Sequence, residues 1–162
     1  WQVEDMVRAA GLDSYRLYET VIKSSGRSEQ DCLKWKQWYD DLIEMMRTEG
    51  KTEHGHLQIN ENVLVLLEDL HARLLDSHKQ PEYKDLYYKA LPFIVEFRAR
   101  NHEERNEELR DCFNLLYGVW MLKIQGKPVS AGTAQAVQTV SAFLSKLAML
   151  YKEDVAGTLD LE

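Results

Sequence analysis

Apolar residues recur along this chain at steps of three and four, the period of an α-helix that buries one face. Val3, Met6, Val7 and Ala10 share one side of a first segment that Gly11 ends. A second segment, about residues 13–24, sets Tyr15, Tyr18 and Ile22 in a row and stops at Gly26. In the third, Ser28 is an N-cap with Asp31 three residues on, a variant of the capping box. Cys32, Trp35, Tyr39, Leu42 and Met46 follow as its stripe, flanked by Trp38, Ile43 and Met45, and Gly50 takes the left-handed C-cap. A fourth helix over residues 60–77 has its stripe at Val63, Leu66, Leu67, Leu70 and Leu74.

Pro81 suits the first turn of a fifth helix, where its missing N–H costs nothing. Tyr83, Tyr87, Tyr88, Leu91, Ile94 and Phe97 line that helix, and Pro92 predicts a kink because it cannot donate to the Tyr88 carbonyl. Asn106 is placed to cap a sixth helix. Its apolar positions, among them Leu109, Cys112, Leu116, Val119 and Trp120, cover more than half the circumference, as a central helix requires. Gly126 and Pro128 stop it. Ser130 then caps a seventh helix with a buried side at Ala134, Val137, Val140, Phe143, Leu144, Leu147 and Tyr151. No segment alternates as a strand does. The prediction is an all-α, single-domain bundle of about seven helices over residues 1–155, with residues 156–162 as a flexible tail.

Composition narrows the functional classes. A chain of 162 residues is one domain long and buries roughly 70% of its unfolded surface, so it needs no metal or disulfide to fold. The net charge of -7, with no clustered Lys or Arg, argues against nucleic acid and against anionic membranes. No apolar run reaches the ~18 residues that a transmembrane helix needs. Cys32 and Cys112 lie on apolar helical faces, where they read as small hydrophobes in a reducing compartment, and no signal peptide is visible; a cytoplasmic location is expected.

Few patterns could carry chemistry. His54 and His56 straddle Gly55 in the stretch EGKTEHGHLQIN, weak metal candidates because no second pair of ligands accompanies them. That stretch reads instead as a connection, with Gly50 as C-cap, Ile59 and Leu64 as a hydrophobic staple, and Asn60 as the next N-cap. Glu68 and His71 have the E-x-x-H spacing of di-iron bundles, but those need two such motifs and this chain has one inside an apolar stripe. His71 is therefore expected as a hydrogen-bonded core histidine. Arg98 falls on the apolar side of the fifth helix and must find a carboxylate, snorkel to water, or bind an anion in a cleft near Pro92. Tyr87 and Tyr88 stand close enough to share such a cleft.

The aromatic set of Trp35, Trp38, Tyr39, Tyr87, Tyr88, Tyr117 and Trp120 is expected in the core. Gly118, on a narrow polar strip with Asp111 and Asn114, costs ~1 kcal/mol relative to alanine in mid-helix, which points to close approach of a backbone or ligand. The acidic stretch HEERNEEL reads as a solvated face. No nucleophile elbow or phosphate-binding loop is present.

The stretches WQVEDMVRAAGLD, WYDDLIEMMRTEGKTEHGHLQIN, YYKALPFIVEFRAR and CFNLLYGVWMLKIQGKPVS together resemble an uncharacterised helical family of unknown function found in Bacteroidetes. The resemblance implies a cytoplasmic bacterial helical protein whose first helix is extended by a segment before Trp1. It implies no activity, cofactor or catalytic residue. The expected function is a non-enzymatic helical domain acting through protein–protein contact or self-association, with no cofactor. The rival is a bundle that binds a small molecule, anion or metal, or even an enzyme, with a site drawn from His71, Glu68, Arg98, Tyr87 and Tyr88.

Overall fold

The computed structural model describes residues 1–101 and 107–161. They form seven α-helices: α1 (Gln2–Ala9), α2 (Ser14–Leu17), α3 (Glu29–Thr48), α4 (Gln58–Asp76), α5 (Pro81–Asn101), α6 (Glu108–Ile124) and α7 (Ala131–Val155). No strand occurs among the described residues, and the chain is all-α. The predicted start signals work as expected at α3 and α7. Ser28 accepts the amide of Asp31, and Ser130 accepts that of Thr133. Gly50 and Gly126, at φ 66 and 67, take the left-handed conformation that closes α3 and α6. The expected Asn106 cap of α6 lies outside the described residues.

Other expectations change. The second segment is only one α-helical turn, followed by a π-turn at Tyr18–Ile22 and a 3₁₀ turn at Lys23–Ser25. Its buried residues are Leu17 and Ile22, and Tyr18 packs partly buried against the same core, while Tyr15 is exposed. α4 starts at Gln58 rather than Asn60, and Ile59 is exposed, which removes the predicted staple. Its stripe is also rotated: Leu64, Leu67, Leu70, His71 and Leu74 are buried, whereas Val63 and Leu66 are exposed. Pro92 stands inside α5, as expected, with the helix extending on both sides of it.

Backbone contacts divide the chain into two compact units, Trp1–Asn62 and Val63–Glu162. In the first, Val7, Leu17, Ile22, Cys32, Tyr39, Ile43, Met46 and Leu57 form the core. In the second, α7 packs on both α5 and α6, around Leu70, Leu74, Tyr83, Ile94, Leu109, Cys112, Phe143 and Leu147. After α7, in the stretch expected as a flexible tail, the described residues make contacts with the second unit. Leu159 and Leu161 pack on this core, Ser77 Oγ donates to the Leu161 carbonyl at 2.8 Å, and Gln80 Nε2 donates to that of Asp160 at 3.1 Å.

Candidate functional site

α4, α5 and α6 bring most of the predicted site residues of the second unit together. Glu68 and His71 lie one turn apart on α4, as E-x-x-H spacing dictates, and α5 supplies Tyr83, Tyr87 and Arg98. His71 Nδ1 lies 2.5 Å from Tyr83 Oη. With the tyrosine hydroxyl donating there, the ring proton sits on Nε2, which faces Glu108 Oε2 at 3.8 Å. Tyr87 donates to the same Glu108 oxygen at 2.8 Å. The rings of Tyr83, Tyr87 and Phe143 stand edge-on to the imidazole at centroid distances of 5.8, 4.9 and 5.8 Å. Burial lowers the His71 pKa against the pull of Glu108, and burial raises the phenol pKa of Tyr83 and Tyr87.

Glu68 takes a role that its motif did not announce. Its Oε1 accepts the Leu109 amide at 3.1 Å, in the first turn of α6, so a carboxylate from α4 meets one of the donors a helix start leaves over. Burial raises the Glu68 pKa, helped by Glu108, Glu107 and Asp111, and opposed by that amide. Arg98 finds the carboxylate its apolar position required: Nε and Nη2 reach Asp111 Oδ2 at 2.8 and 2.7 Å. Asp111 is 1% exposed rather than on the polar strip the sequence suggested. Burial pushes its carboxyl pKa up, and the Arg98 contacts pull it down. The signal for it was Arg98 itself, a cation on an apolar face near the end of α5.

Tyr88 is not part of this cluster. It is 62% exposed, and its ring only tilts against that of Tyr87 at 5.2 Å. Glu68, His71, Tyr87, Glu108, Arg98 and Asp111 thus chiefly engage one another. Their contacts brace three helices, with the His71 imidazole at the centre. Among the described residues no group of three or more His, Cys, Asp or Glu could hold a metal ion.

The His-Gly-His loop belongs to the first unit, and a residue that the sequence reading overlooked organises it. Glu4 on α1 is 2% exposed. Its Oε1 accepts from the Leu57 amide at 2.9 Å and from Asn60 Nδ2 at 2.8 Å; His56 Nδ1 lies 2.7 Å from Oε2. The Trp1 nitrogen stands 3.1 Å from the same Oε2, the N3-to-N-cap reach of a capping box. Trp1 stacks on His56 at 4.0 Å, and Arg8 donates through Nε to the Lys51 carbonyl at 3.1 Å and through Nη2 to that of Gly55. Asn60 therefore serves Glu4 rather than capping α4. His56 ties the loop to α1, and His54 takes no part in that tie.

A model for the family described as a domain of unknown function (DUF4924) matches residues 1–158. This chain belongs to that family. No curated protein and no solved structure matches it.

In the DUF4924 chain an aromatic surface on α3 lies outside the two cores. On α3, Trp35, Trp38, Leu42 and Met45 follow one another at steps of three, four and three, the spacing of a coiled-coil seam. Leu42 is buried, but Trp35, Trp38 and Met45 are 38%, 45% and 37% exposed. Trp38 meets Trp35 and Tyr39 edge-on at 5.7 and 4.9 Å, and the Arg27 guanidinium lies 4.5 Å from the Trp35 ring centroid. The expectation that these tryptophans fill the core is corrected: Cys32, Tyr39, Ile43 and Met46 do that, one side of the helix further round. No helix among the described residues is long and apolar enough to cross a membrane.

Proposed function

We propose that this chain works by binding protein rather than by catalysis, and that the binding surface is the α3 seam. The observation that carries the reading is the exposure of Trp35, Trp38 and Met45 on one line of a 20-residue helix. Aromatic and methionine side chains on a surface hold more apolar area than folding has used, and they are the types enriched at the centres of interfaces. The occupant favoured by the charges beside the seam is a second copy. Lys34 and Asp41 lie seven residues apart on the same edge of α3, Lys34 next to Trp35 and Asp41 about one turn beyond Trp38. In an antiparallel pairing, like edges meet, so each copy's Lys34 comes beside the other's Asp41. The rival location at His71, Glu68 and Arg98 offers mutually engaged groups instead of open ones.

Sedimentation velocity over a concentration series tests the reading. A concentration-dependent dimer is expected, abolished by Trp38→Glu with the helical circular dichroism retained. A wild-type chain that stays monomeric throughout, or a dimer indifferent to Trp38→Glu, overturns it.

A further inference from the structure

A cleft in the second unit carries a separate conclusion. It lies where α5 and α6 approach the start of α7, and its volume is about 480 Å³. That is inside the ~300–1,000 Å³ of ordinary small-molecule sites. Phe93 and Phe97 from α5, Leu115, Val119 and Leu122 from α6, and Ala136 from α7 give it apolar walls.

Gly118 lines it without a side chain. A mid-helix glycine costs ~1 kcal/mol relative to alanine, and a close-packed neighbour usually explains one. Here a Cβ built on Gly118 meets nothing within 4 Å, and the residue lines the cleft. The close backbone approach predicted from sequence is therefore absent, and the alternative, space for a ligand, remains. Any larger side chain at this position would project into the cavity.

The rim is polar, and its two charged lining residues, Glu96 and Arg100, are paired with each other. Ser130, Gly132 and Thr133 bring the first turn of α7 to the cleft, and that turn carries no acidic residue. Ser130 Oγ accepts the Thr133 amide, so the amides of Ala131 and Gly132 are the earlier donors of a 25-residue helix, at its positive end. Gly132 has no side chain over them; its Cβ would meet only Ser130 Oγ, at 3.9 Å. Arg100 stands on the rim as well, its Nη2 2.5 Å from the carboxylate of Glu96, which also lines the cleft.

We infer that this cleft binds a small organic acid with an apolar body, its hydrocarbon or aromatic part against Phe93, Phe97 and Val119 and its carboxylate at the start of α7 near Arg100. The inference is independent of the α3 seam, which lies in the other unit.

Isothermal titration of the full chain with decanoate, 1-decanol and decylamine tests it. Decanoate should bind about tenfold more tightly than 1-decanol, the ratio expected for one charge-assisted contact near a surface, and decylamine least tightly. Gly118→Leu should abolish decanoate binding while the melting temperature holds or rises. Gly118→Ala, which adds one methyl group, should raise the melting temperature and keep binding, which separates filling the cleft from disturbing α6. Arg100→Gln should narrow the gap between acid and alcohol. No decanoate binding, equal binding of acid and alcohol, or full binding by Gly118→Leu would each overturn the inference.

Discussion

The carboxylate of Glu68 on α4 accepts the backbone N–H of Leu109 on α6 at 3.1 Å, so the start of one helix is capped by the middle of another. A cap supplied from elsewhere obeys the same energetics as a local one. Glu68→Ala should destabilise the protein by about 1 kcal/mol, read as a shift in the urea midpoint. Glu68→Gln keeps the acceptor and removes a charge held beside Glu108, Glu107 and Asp111, so it should be neutral or stabilising at pH 7. A Gln variant as damaging as the Ala variant would show that the charge, not the acceptor, matters.

Glu4 sets a stability loss in acid. Burial alone would raise its pKa, but the Leu57 amide, His56 and the Trp1 nitrogen outweigh burial and hold the carboxyl at about 2, against 4.5 unperturbed. A depressed carboxyl stabilises the fold above its unfolded pKa, and that stability disappears as pH falls from about 4.5 to about 2. The shift corresponds to on the order of 3 kcal/mol. Urea midpoints measured across that range should fall in the wild type and fall much less in Glu4→Gln, which begins from a lower stability at pH 7.

His71 should remain neutral where free histidine is half charged. Its folded pKa is lowered by burial, so below the usual pKa of ~6.5 the unfolded chain takes up a proton that the folded chain refuses. Stability is therefore lost as pH falls through that region. Nitrogen chemical shifts of the imidazole at pH 6 should report a neutral ring protonated at Nε2. A charged ring there would mean that Glu108, not burial, controls it.

Removing Arg98 should cost more than removing its pair. Arg98→Met leaves Asp111 buried beside no guanidinium, a change of about 3 kcal/mol for a broken buried pair. Arg98→Met combined with Asp111→Leu should recover much of that loss in thermal denaturation. A double variant as unstable as the sum of the single ones would show that the two residues are not coupled.

Helical periodicity made the elements legible because caps and left-handed glycines act within a few residues. Ser28, Gly50, Gly126 and Ser130 could each be read from their neighbours alone. The angle of each buried face was less legible. On α4 the apolar run around Val63–Leu67 is too continuous to choose between Leu64 and Leu66, and on α3 the tryptophans look as inward as Tyr39. Polar residues at the site escaped for a different reason. Glu4 and Asp111 occupy helical positions that look solvated until the partner is known, and their partners lie 53 and 13 residues away. Only Arg98 advertised the need, by placing a charge where the pattern wanted a hydrophobe. The E-x-x-H spacing put Glu68 and His71 on one side of α4, but it could not reveal that one would cap α6 and the other sit edge-on among phenols.

The four groups gathered on Glu4 also bear on how the first unit comes apart. The amide of Leu57, the side chains of Asn60 and His56, and the nitrogen of Trp1 all meet one carboxylate. Fraying of α1 withdraws that acceptor, and the entry to α4 then loses its anchor at the same moment. Two segments far apart in sequence thus share a single opening event, and their amides should exchange with solvent deuterium at a common rate rather than in the order of the chain.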